Sequence, residues 1–184
     1  PMNRGKVLSA ADLEKAGGFQ RYRDVDGDAI PYRTVPGTAH PKAAYFTRGT
    51  GHDDAGLYSE KPEDYKNNMA RLARKWETAR TMVPKPECHV NPGCNVGILM
   101  YGSSGEACSE ARFILQRQGI ETNFMRIKSM PFHPETEEFL DRNDRVYVVE
   151  QNRDGQMLVI LRGMMPQYWE KMKSVVQYDG LPLD

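Results

Sequence analysis

VGILMY at residues 96–101, followed at once by GSSG at residues 102–105, is the stretch that decides the fold. A continuous apolar run of this length predicts a strand that is buried on both faces of a sheet. The glycines and serines then predict a tight turn. After it, residues 105–118 have the pattern of a helix capped by Ser103 and Glu106. An alternating strand–helix unit therefore begins here.

The same alternation continues along the rest of the chain. We predict strands at 122–128, 145–150 and 175–178, and helices at 134–142 and from 156 to a break at Pro166. Strands that alternate with helices form a parallel sheet covered on both faces. Residues 95–184 are therefore predicted to be a small α/β domain with an open, mostly parallel sheet and helices on both faces.

The leading residues, 1–58, have a different character. They contain one short predicted helix, from Ala10 to Lys15, and a series of turn signals. Their apolar residues are too scattered to form a core of their own, and so long a stretch with little regular structure is uncommon in a self-contained domain. We expect an extended arm whose aromatic side chains are buried by polypeptide outside this chain.

Residues 59–94 are predicted to form a long helix and a proline-rich linker. Ser59 can cap the helix, and prolines at 84 and 86 end it. Its apolar residues recur at helical spacing and predict the buried face; they are Tyr65, Met69, Leu72, Ala73, Trp76 and Ala79. The opposite face, which we expect to be wet, carries Lys66, Arg71, Arg74 and Lys75.

Composition excludes several functional classes. The 184 residues carry 25 basic and 25 acidic side chains, so the formal net charge is zero, and there is no electrostatic case for nucleic acid or an anionic membrane surface as partner. Three cysteines at irregular spacing do not form a secreted disulfide framework, so we expect a reducing, cytoplasmic location. No apolar run approaches the roughly 18 residues of a membrane span.

Two groups of polar residues follow predicted strands. Ser103 and Ser104 lie in a turn before a helix, where backbone N–H groups can receive an anion, although a plain capped turn has the same pattern. Glu150, Asn152 and Asp154 follow the strand at 145–150. Open α/β sheets bind ligands at such strand ends, yet the same residues can cap the next helix and contact a neighbouring domain. All five are candidate interface or ligand contacts.

Arg48, His52 and Asp53 form a further candidate group in a loop of the arm. A His–Asp pair can transfer protons, but no nucleophile with fixed geometry accompanies it. The alternative is a loop packed at an interface. We therefore predict interface or ligand contacts here as well.

No catalytic or metal-binding motif is complete. Cys88, His89 and Cys94 lack a recognised zinc spacing, so no metal site is predicted and their role stays open. The chain has no cysteine cluster for an iron–sulfur centre, no complete dinucleotide fingerprint, and no Gly-Asp-Gly with a downstream Asn for thiamine diphosphate. By itself the chain is expected to bind no cofactor.

Several segments considered together resemble one family. They are RGKVL at 4–8, DGDAIPYRTVPG at 26–37, YFTRGTGHD at 45–53, NMARL at 68–72, KWETAR at 75–80, GSS at 102–104, RVYVVEQNRDGQ at 145–156 and YDGLP at 178–182. Their combination resembles the α subunits of 2-oxoacid:ferredoxin oxidoreductases, especially the 2-oxoglutarate type. The resemblance extends over essentially the whole chain.

The resemblance implies a fold and a setting. The domain at 95–184 would be flavodoxin-like, similar to the C-terminal domain of transketolase, and the chain would be the C-terminal portion of the subunit, cut at both ends. The enzymes of this family decarboxylate a 2-oxoacid, form acyl-CoA and reduce ferredoxin, with thiamine diphosphate, Mg²⁺ and an iron–sulfur cluster mainly on the β subunit. Implied partners are that β subunit, the upstream α-subunit domains and ferredoxin.

The implied role is structural, with the chain inactive by itself. Two alternatives remain open from the residues. One is a stand-alone α/β domain that binds a small ligand. The other is the C-terminal domain of a different thiamine-dependent enzyme, such as a transketolase or a branched-chain dehydrogenase.

Overall fold

The computed structural model describes residues 3–47 and 49–183. The chain divides into two compact units, Pro1–Ala79 and Arg80–Asp184. We call them unit 1 and unit 2. No helix within the described ranges is long and apolar enough to cross a membrane.

Unit 2 contains a five-stranded sheet. Its strands are β1 (Glu87–His89), β2 (Val96–Tyr101), β3 (Asn123–Ile127), β4 (Arg145–Glu150) and β5 (Met172–Val176). The spatial order is β1-β3-β2-β4-β5, and β1 is antiparallel to β3 while every other pair is parallel. The predicted open, mostly parallel α/β sheet is confirmed.

Helices cover both faces of this sheet. They are α3 (Gly105–Arg117), α4 (Pro134–Arg142) and α5 (Gln156–Met164), with 3₁₀ turns at Gly102–Ser104 and Pro166–Lys171. Alternate side chains of β2 point to opposite faces. Leu99 packs in one cluster with Leu140 of α4 and Leu161 of α5. Ile98 packs in another with Cys108 of α3. The core of unit 2 is therefore two apolar layers separated by the sheet.

Two strand assignments differ from the sequence prediction. β1 lies inside the predicted linker and pairs along its whole length with β3, from Glu87 opposite Arg126 to His89 opposite Phe124. β5 begins at Met172, three residues before the predicted start. Met172 is fully buried and packs in the core, whereas the next residues are exposed. Because only the first side chain of β5 is buried in the core, the apolar pattern of the sequence did not mark the residue at which the strand begins.

A pair of buried amides joins β3 to the helix–strand connection after α4. The Asn123 side chain is fully buried and donates to the Asn143 side-chain oxygen at 2.8 Å and to the Cys94 carbonyl at 3.0 Å. Its oxygen accepts the N–H of Asn91 at 2.8 Å. Asn143 in turn donates to the Phe139 carbonyl at 2.7 Å. Each buried amide is thus hydrogen-bonded, as a polar group in a core must be.

Unit 1 begins with a short capped helix, α1 (Ala10–Ala16). Ser9 and Asp12 form a reciprocal capping box, and Gly17 ends the helix in the left-handed conformation, with φ of 67°. Leu13 of this helix and Ala29 are fully buried. The predicted helix is confirmed, and it supplies part of a small core within the arm.

The aromatic residues of the arm are only partly sheltered. Phe19 meets Tyr45 edge-on at 5.7 Å between ring centroids. Phe46 and Tyr58, by contrast, are 74% and 55% exposed. The arm therefore buries some of its rings against one another and leaves others open to solvent.

The long helix α2 (Pro62–Arg80) is confirmed, but its predicted buried face is wrong. Of the predicted wet face, Lys66, Arg74 and Lys75 are exposed, but Arg71 is only 8% exposed. The four large residues of the predicted apolar face are open. We call this exposed row the α2 stripe; it consists of Tyr65, Met69, Leu72 and Trp76, which are 39% to 61% exposed. Arg71 is covered because this side of the helix hydrogen-bonds the arm: Arg71 bonds the Ala29 carbonyl, and Thr78 donates to the Asp28 carbonyl at 2.7 Å. Ser59 lies three residues before the first helical residue, and its hydroxyl accepts the N–H of Lys61 at 3.2 Å.

Acid is expected to loosen the arm. Lys6 forms ion pairs with Asp26 at 2.6 Å and Asp28 at 2.7 Å, and its hydrogen bonds lower the pKa of both carboxyl groups. Their contribution to folding is complete above the ordinary aspartate pKa of about 3.9 and is lost as pH falls below it. The N–H of Leu8 donates to the Arg33 carbonyl, and the N–H of Arg33 donates to the Lys6 carbonyl. At low pH both amide hydrogens should exchange with solvent faster, after correction for the intrinsic exchange rates. Unchanged protection of both amides down to pH ~3 would contradict this.

Candidate functional site

The carboxyl ends of β2 and β4 form the candidate ligand-binding edge of the unit 2 sheet. The chain passes from β2 to β3 on one side of β2 and then to β4 on the other. Such a reversal of strand order opens a crevice where open α/β sheets bind ligands. Ser103, which follows β2, donates to the side-chain oxygen of Gln151, which follows β4, at 3.2 Å. Two groups that the sequence identified separately therefore meet at one edge.

Glu150 is held inside this edge. Its side chain is fully buried, and its carboxylate accepts the N–H groups of Met157 at 2.6 Å and Leu158 at 3.1 Å, in the first turn of α5. The Asn152 amide donates to it at 3.0 Å. A carboxylate at this position satisfies free N–H groups and interacts favourably with the helix dipole. In this structure Glu150 caps α5.

Asn152 and Asp154 differ in exposure. The Asn152 oxygen accepts the N–H of Gln156 at 3.2 Å, and its amide also donates to the Tyr101 hydroxyl at 3.3 Å. Asp154 is exposed and pairs with Arg153 at 2.7 Å. Arg153 and Asp154 are therefore charged and exposed at this edge, whereas Asn152 is half-buried.

The turn after β2 differs from the predicted cap. Ser104, which is 3% exposed, occupies the cap position of α3 with a backbone near the helical region, φ −70° and ψ −1°. The 3₁₀ turn Gly102–Ser104 therefore runs directly into α3, and the Ser104 side chain at the cap position forms no capping hydrogen bond. The predicted capping box of Ser103 and Glu106 is wrong, because a cap residue needs an extended backbone to reach the free N–H groups.

Arg126 is a residue of this edge that the sequence interpretation missed. It lies near the carboxyl end of β3, and its guanidinium donates to the Gly102 carbonyl at 2.9 Å. It thus supports the turn that carries Ser103 and Ser104. The rule that the ends of parallel strands share an edge would have identified it. The sequence analysis identified only strands that are followed by dense polar runs, and β3 is not one of them.

The predicted group of the arm lies in unit 1. Arg48 lies outside the described residues. His52 is 6% exposed, its ring stacks on Tyr22 at 3.9 Å between centroids, and its Nδ1 lies 2.9 Å from the Asp53 carbonyl oxygen. Since that oxygen can only accept, Nδ1 carries the proton.

The Asp53 carboxylate does not face the imidazole. One of its oxygens accepts the N–H groups of Ala55 and Leu57, each at 2.9 Å. His52 and Asp53 are thus held by separate local bonds that order the loop, and their contact with a partner or ligand stays a prediction.

The cysteines are dispersed in unit 2. Cys88 and His89 lie on β1, while the Cys94 thiol donates to the Glu121 carbonyl at 3.1 Å. Across residues 3–47 and 49–183, no three histidine, cysteine, aspartate or glutamate side chains lie close enough together to hold a metal ion.

Comparison of the chain with proteins of known identity bears on the predicted resemblance. No protein-family model matches the sequence. Over 191 aligned positions covering the whole chain, however, it is 28% identical to subunit alpha of 2-oxoacid:ferredoxin oxidoreductase 2 from Aeropyrum pernix. The resemblance to 2-oxoacid:ferredoxin oxidoreductase α subunits is confirmed. The chain spans 28% of the length of that subunit.

A solved structure of the same kind of enzyme shares the fold. The 2-oxoglutarate:ferredoxin oxidoreductase from Magnetococcus marinus, with 2-oxoglutarate, coenzyme A and succinyl-CoA bound, matches 90% of this chain with a TM-score of 0.74 and 23% identity. The chain again corresponds to 28% of the matched polypeptide. This chain therefore has an architecture that is also found within a 2-oxoglutarate:ferredoxin oxidoreductase.

Proposed function

We propose that this chain is the C-terminal structural and assembly region of the α subunit of a thiamine diphosphate-dependent 2-oxoacid:ferredoxin oxidoreductase. Its 2-oxoacid would be 2-oxoglutarate. The proposed complex is cytoplasmic, forms acyl-CoA and CO₂, and reduces ferredoxin, using Mg²⁺, an iron–sulfur cluster and coenzyme A. The A. pernix relative, a subunit alpha by name, supports the setting, and the ligands named for the M. marinus enzyme support this choice of 2-oxoacid and the use of coenzyme A.

Within that complex, each segment has a proposed part. Residues 1–58 would be an interdomain arm, residues 59–94 a linker helix with its linker, and residues 95–184 a transketolase C-terminal-like domain. The partners would be the β subunit and the upstream α-subunit domains. The residues that order unit 2 at its candidate ligand-binding edge are engaged in capping, as Glu150 is, which fits a chain that is inactive by itself.

The α2 stripe carries this proposal. Trp76 is 45% exposed and Tyr65 is 61% exposed, on a helix whose buried residue is Arg71. Large apolar side chains grouped on one exposed face mark an interaction surface. Aromatic residues also supply a disproportionate part of the binding energy at protein interfaces. We therefore expect the stripe to be covered by the β subunit in the assembled enzyme.

The proposal is tested by substituting the α2 stripe in the assembled enzyme. Tyr65→Ser with Trp76→Ser should weaken association of the α subunit with the β subunit about 30-fold, because each half-exposed ring contributes about 1 kcal/mol to the interface. Co-purification at graded concentrations measures this. Asn67→Ser, on the same helix and exposed, is the matched control and should leave association unchanged.

Two results would overturn the assembly role. One is full co-purification of the Tyr65→Ser/Trp76→Ser variant. The other is turnover of 2-oxoglutarate by the purified 184-residue chain with no companion polypeptide. A stand-alone ligand-binding domain, which the accessible edge at Arg153 and Asp154 would serve, predicts retained binding of a small ligand in the absence of the β subunit.

A further inference from the structure

A strongly basic pocket lies within unit 1. It encloses about 370 Å³, within the size range of small-ligand sites. Its lining has no carboxylate and six cationic side chains: Arg4, Lys6, Arg21, Arg33, Arg71 and Lys75. Because these residues come from segments far apart in the sequence, the fold brings the charges together.

Most of this positive charge is not neutralised locally. Lys6 is held by Asp26 and Asp28. In the described ranges, the other five cations of the pocket form no ion pair; Arg33, for example, donates to the Arg4 carbonyl at 2.8 Å. Like charges placed side by side repel, and a bound anion relieves that repulsion.

Arg71 strengthens the case because its charge is buried. Its guanidinium bonds two neutral oxygens, the Asn68 side chain at 2.8 Å and the Ala29 carbonyl at 3.5 Å. Burial lowers its pKa, while the carboxylates of Asp54 and Asp24 act on it without forming an ion pair in the described structure. A buried cation is costly unless an anion and further acceptors compensate it.

Arg21 is a further cation of the pocket that the described part of the chain does not pair. Its Nε is buried and, within the described residues, has no hydrogen-bond partner. Its guanidinium lies 5.2 Å from the centroid of the Tyr22 ring and 5.6 Å from that of Tyr45. A buried N–H donor without an acceptor is rare in folded proteins, so this guanidinium is poorly satisfied by the chain itself.

We propose that this basic pocket of unit 1 binds a phosphate-class oxyanion, as a phosphoryl or diphosphoryl group. Planar guanidinium groups bind phosphate oxygens in pairs. Five cations without ion pairs match a multiply charged anion better than a single carboxylate. The group can be a free diphosphate or the phosphorylated end of a nucleotide, since both present the same oxygens. This assignment does not depend on the assembly role.

The test is calorimetry of the full 184-residue chain at low salt with diphosphate and with ADP. Diphosphate should bind with a dissociation constant of about 1 mM or tighter, which two or three charge-assisted hydrogen bonds supply. Raising the salt concentration should weaken it. Tighter binding of ADP than of diphosphate identifies a nucleotide as the source of the group. Equal or weaker binding of ADP identifies the free anion.

Variants that avoid the buried cations keep the test independent of folding. Arg4 and Lys75 are exposed, so Arg4→Gln with Lys75→Gln should fold normally and bind diphosphate about tenfold more weakly. Lys66→Gln removes the same charge from the same helix outside this pocket and should bind like the parent chain. Equal affinity of the double variant and the parent would overturn the proposal.

Two further outcomes would also overturn it. One is no detectable heat with diphosphate at about 10 mM, tenfold above the expected constant. The other is a chain that does not bind diphosphate but binds a hexaglutamate peptide, with an affinity that Arg4→Gln/Lys75→Gln lowers. That result would make the pocket a contact for an acidic polypeptide.

Discussion

Gly97→Ala is expected to destabilise unit 2 by about 2 kcal/mol. Gly97 lies in the centre of the sheet, on β2 between β3 and β4. A methyl group there would lie 2.8 Å from two ring carbons of Phe139 and 3.2 Å from the side chain of Asn143. Ordinary carbon contacts are about 3.5–4.0 Å, and forcing an extra methyl group into a packed core costs about 1–3 kcal/mol.

Urea denaturation measures this through Trp169 of unit 2. A Trp76→Phe background removes the tryptophan of unit 1, so the two units are not averaged. Gly163→Ala is the matched control: a methyl group at Gly163, in α5, meets no atom within 4 Å, and the change should stabilise the helix by about 0.5–1 kcal/mol.

A second-site change tests the cause of the Gly97 effect. Phe139→Leu makes room beside Gly97, so the double variant should be at least about 1 kcal/mol more stable than the sum of the single effects predicts. Strict additivity, or a cost of Gly97→Ala below about 0.5 kcal/mol, would show that the contact with Phe139 does not limit the position.

Glu150→Ala is expected to cost about 3–5 kcal/mol in unit 2. The substitution leaves the N–H groups of Met157 and Leu158 in the first turn of α5 buried without their acceptor, and each orphaned group costs about 1–3 kcal/mol. The Asn152 amide loses its partner as well. Glu150→Gln retains the size and one acceptor oxygen, so about half of the loss is expected.

The same tryptophan reporter measures the Glu150 series. Glu110→Ala, on the exposed side of α3, is the control and should lie within about 0.5 kcal/mol of the parent. If Glu150→Ala abolishes folding, Glu150→Gln still gives a number. A cost below about 0.5 kcal/mol for Glu150→Gln would refute the capping role.

Where the apolar pattern was dense, the sequence predicted the fold of unit 2 closely. β4, a compact apolar run, has the predicted bounds, and so does α4, an acidic segment that begins at a proline. β1 was missed because three residues between turn signals carry no periodicity; only pairing with β3 makes them a strand. The α2 stripe was misread because helical spacing identifies an apolar face but not what covers it.

The candidate site was predictable only in part. The sequence identified Ser103 and the residues after β4 as separate groups, and the structure brings them together because the carboxyl ends of neighbouring parallel strands share an edge. The sequence could not show that Glu150 points back into α5, which depends on the helix's position. The basic pocket of unit 1 was missed altogether, since its cations are spread between Arg4 and Lys75 and only the folded chain gathers them.

The buried amides of Asn123 and Asn143 have a consequence for alignment of the strands. Parallel strands rich in valine, leucine and isoleucine offer many near-equivalent offsets, because one apolar side chain replaces another at little cost. Sliding β3 by one position would expose the Asn123 amide to the opposite apolar layer and break its bonds to Asn91, Cys94 and Asn143 together. A single polar residue thus makes the correct offset the only one without a large desolvation penalty.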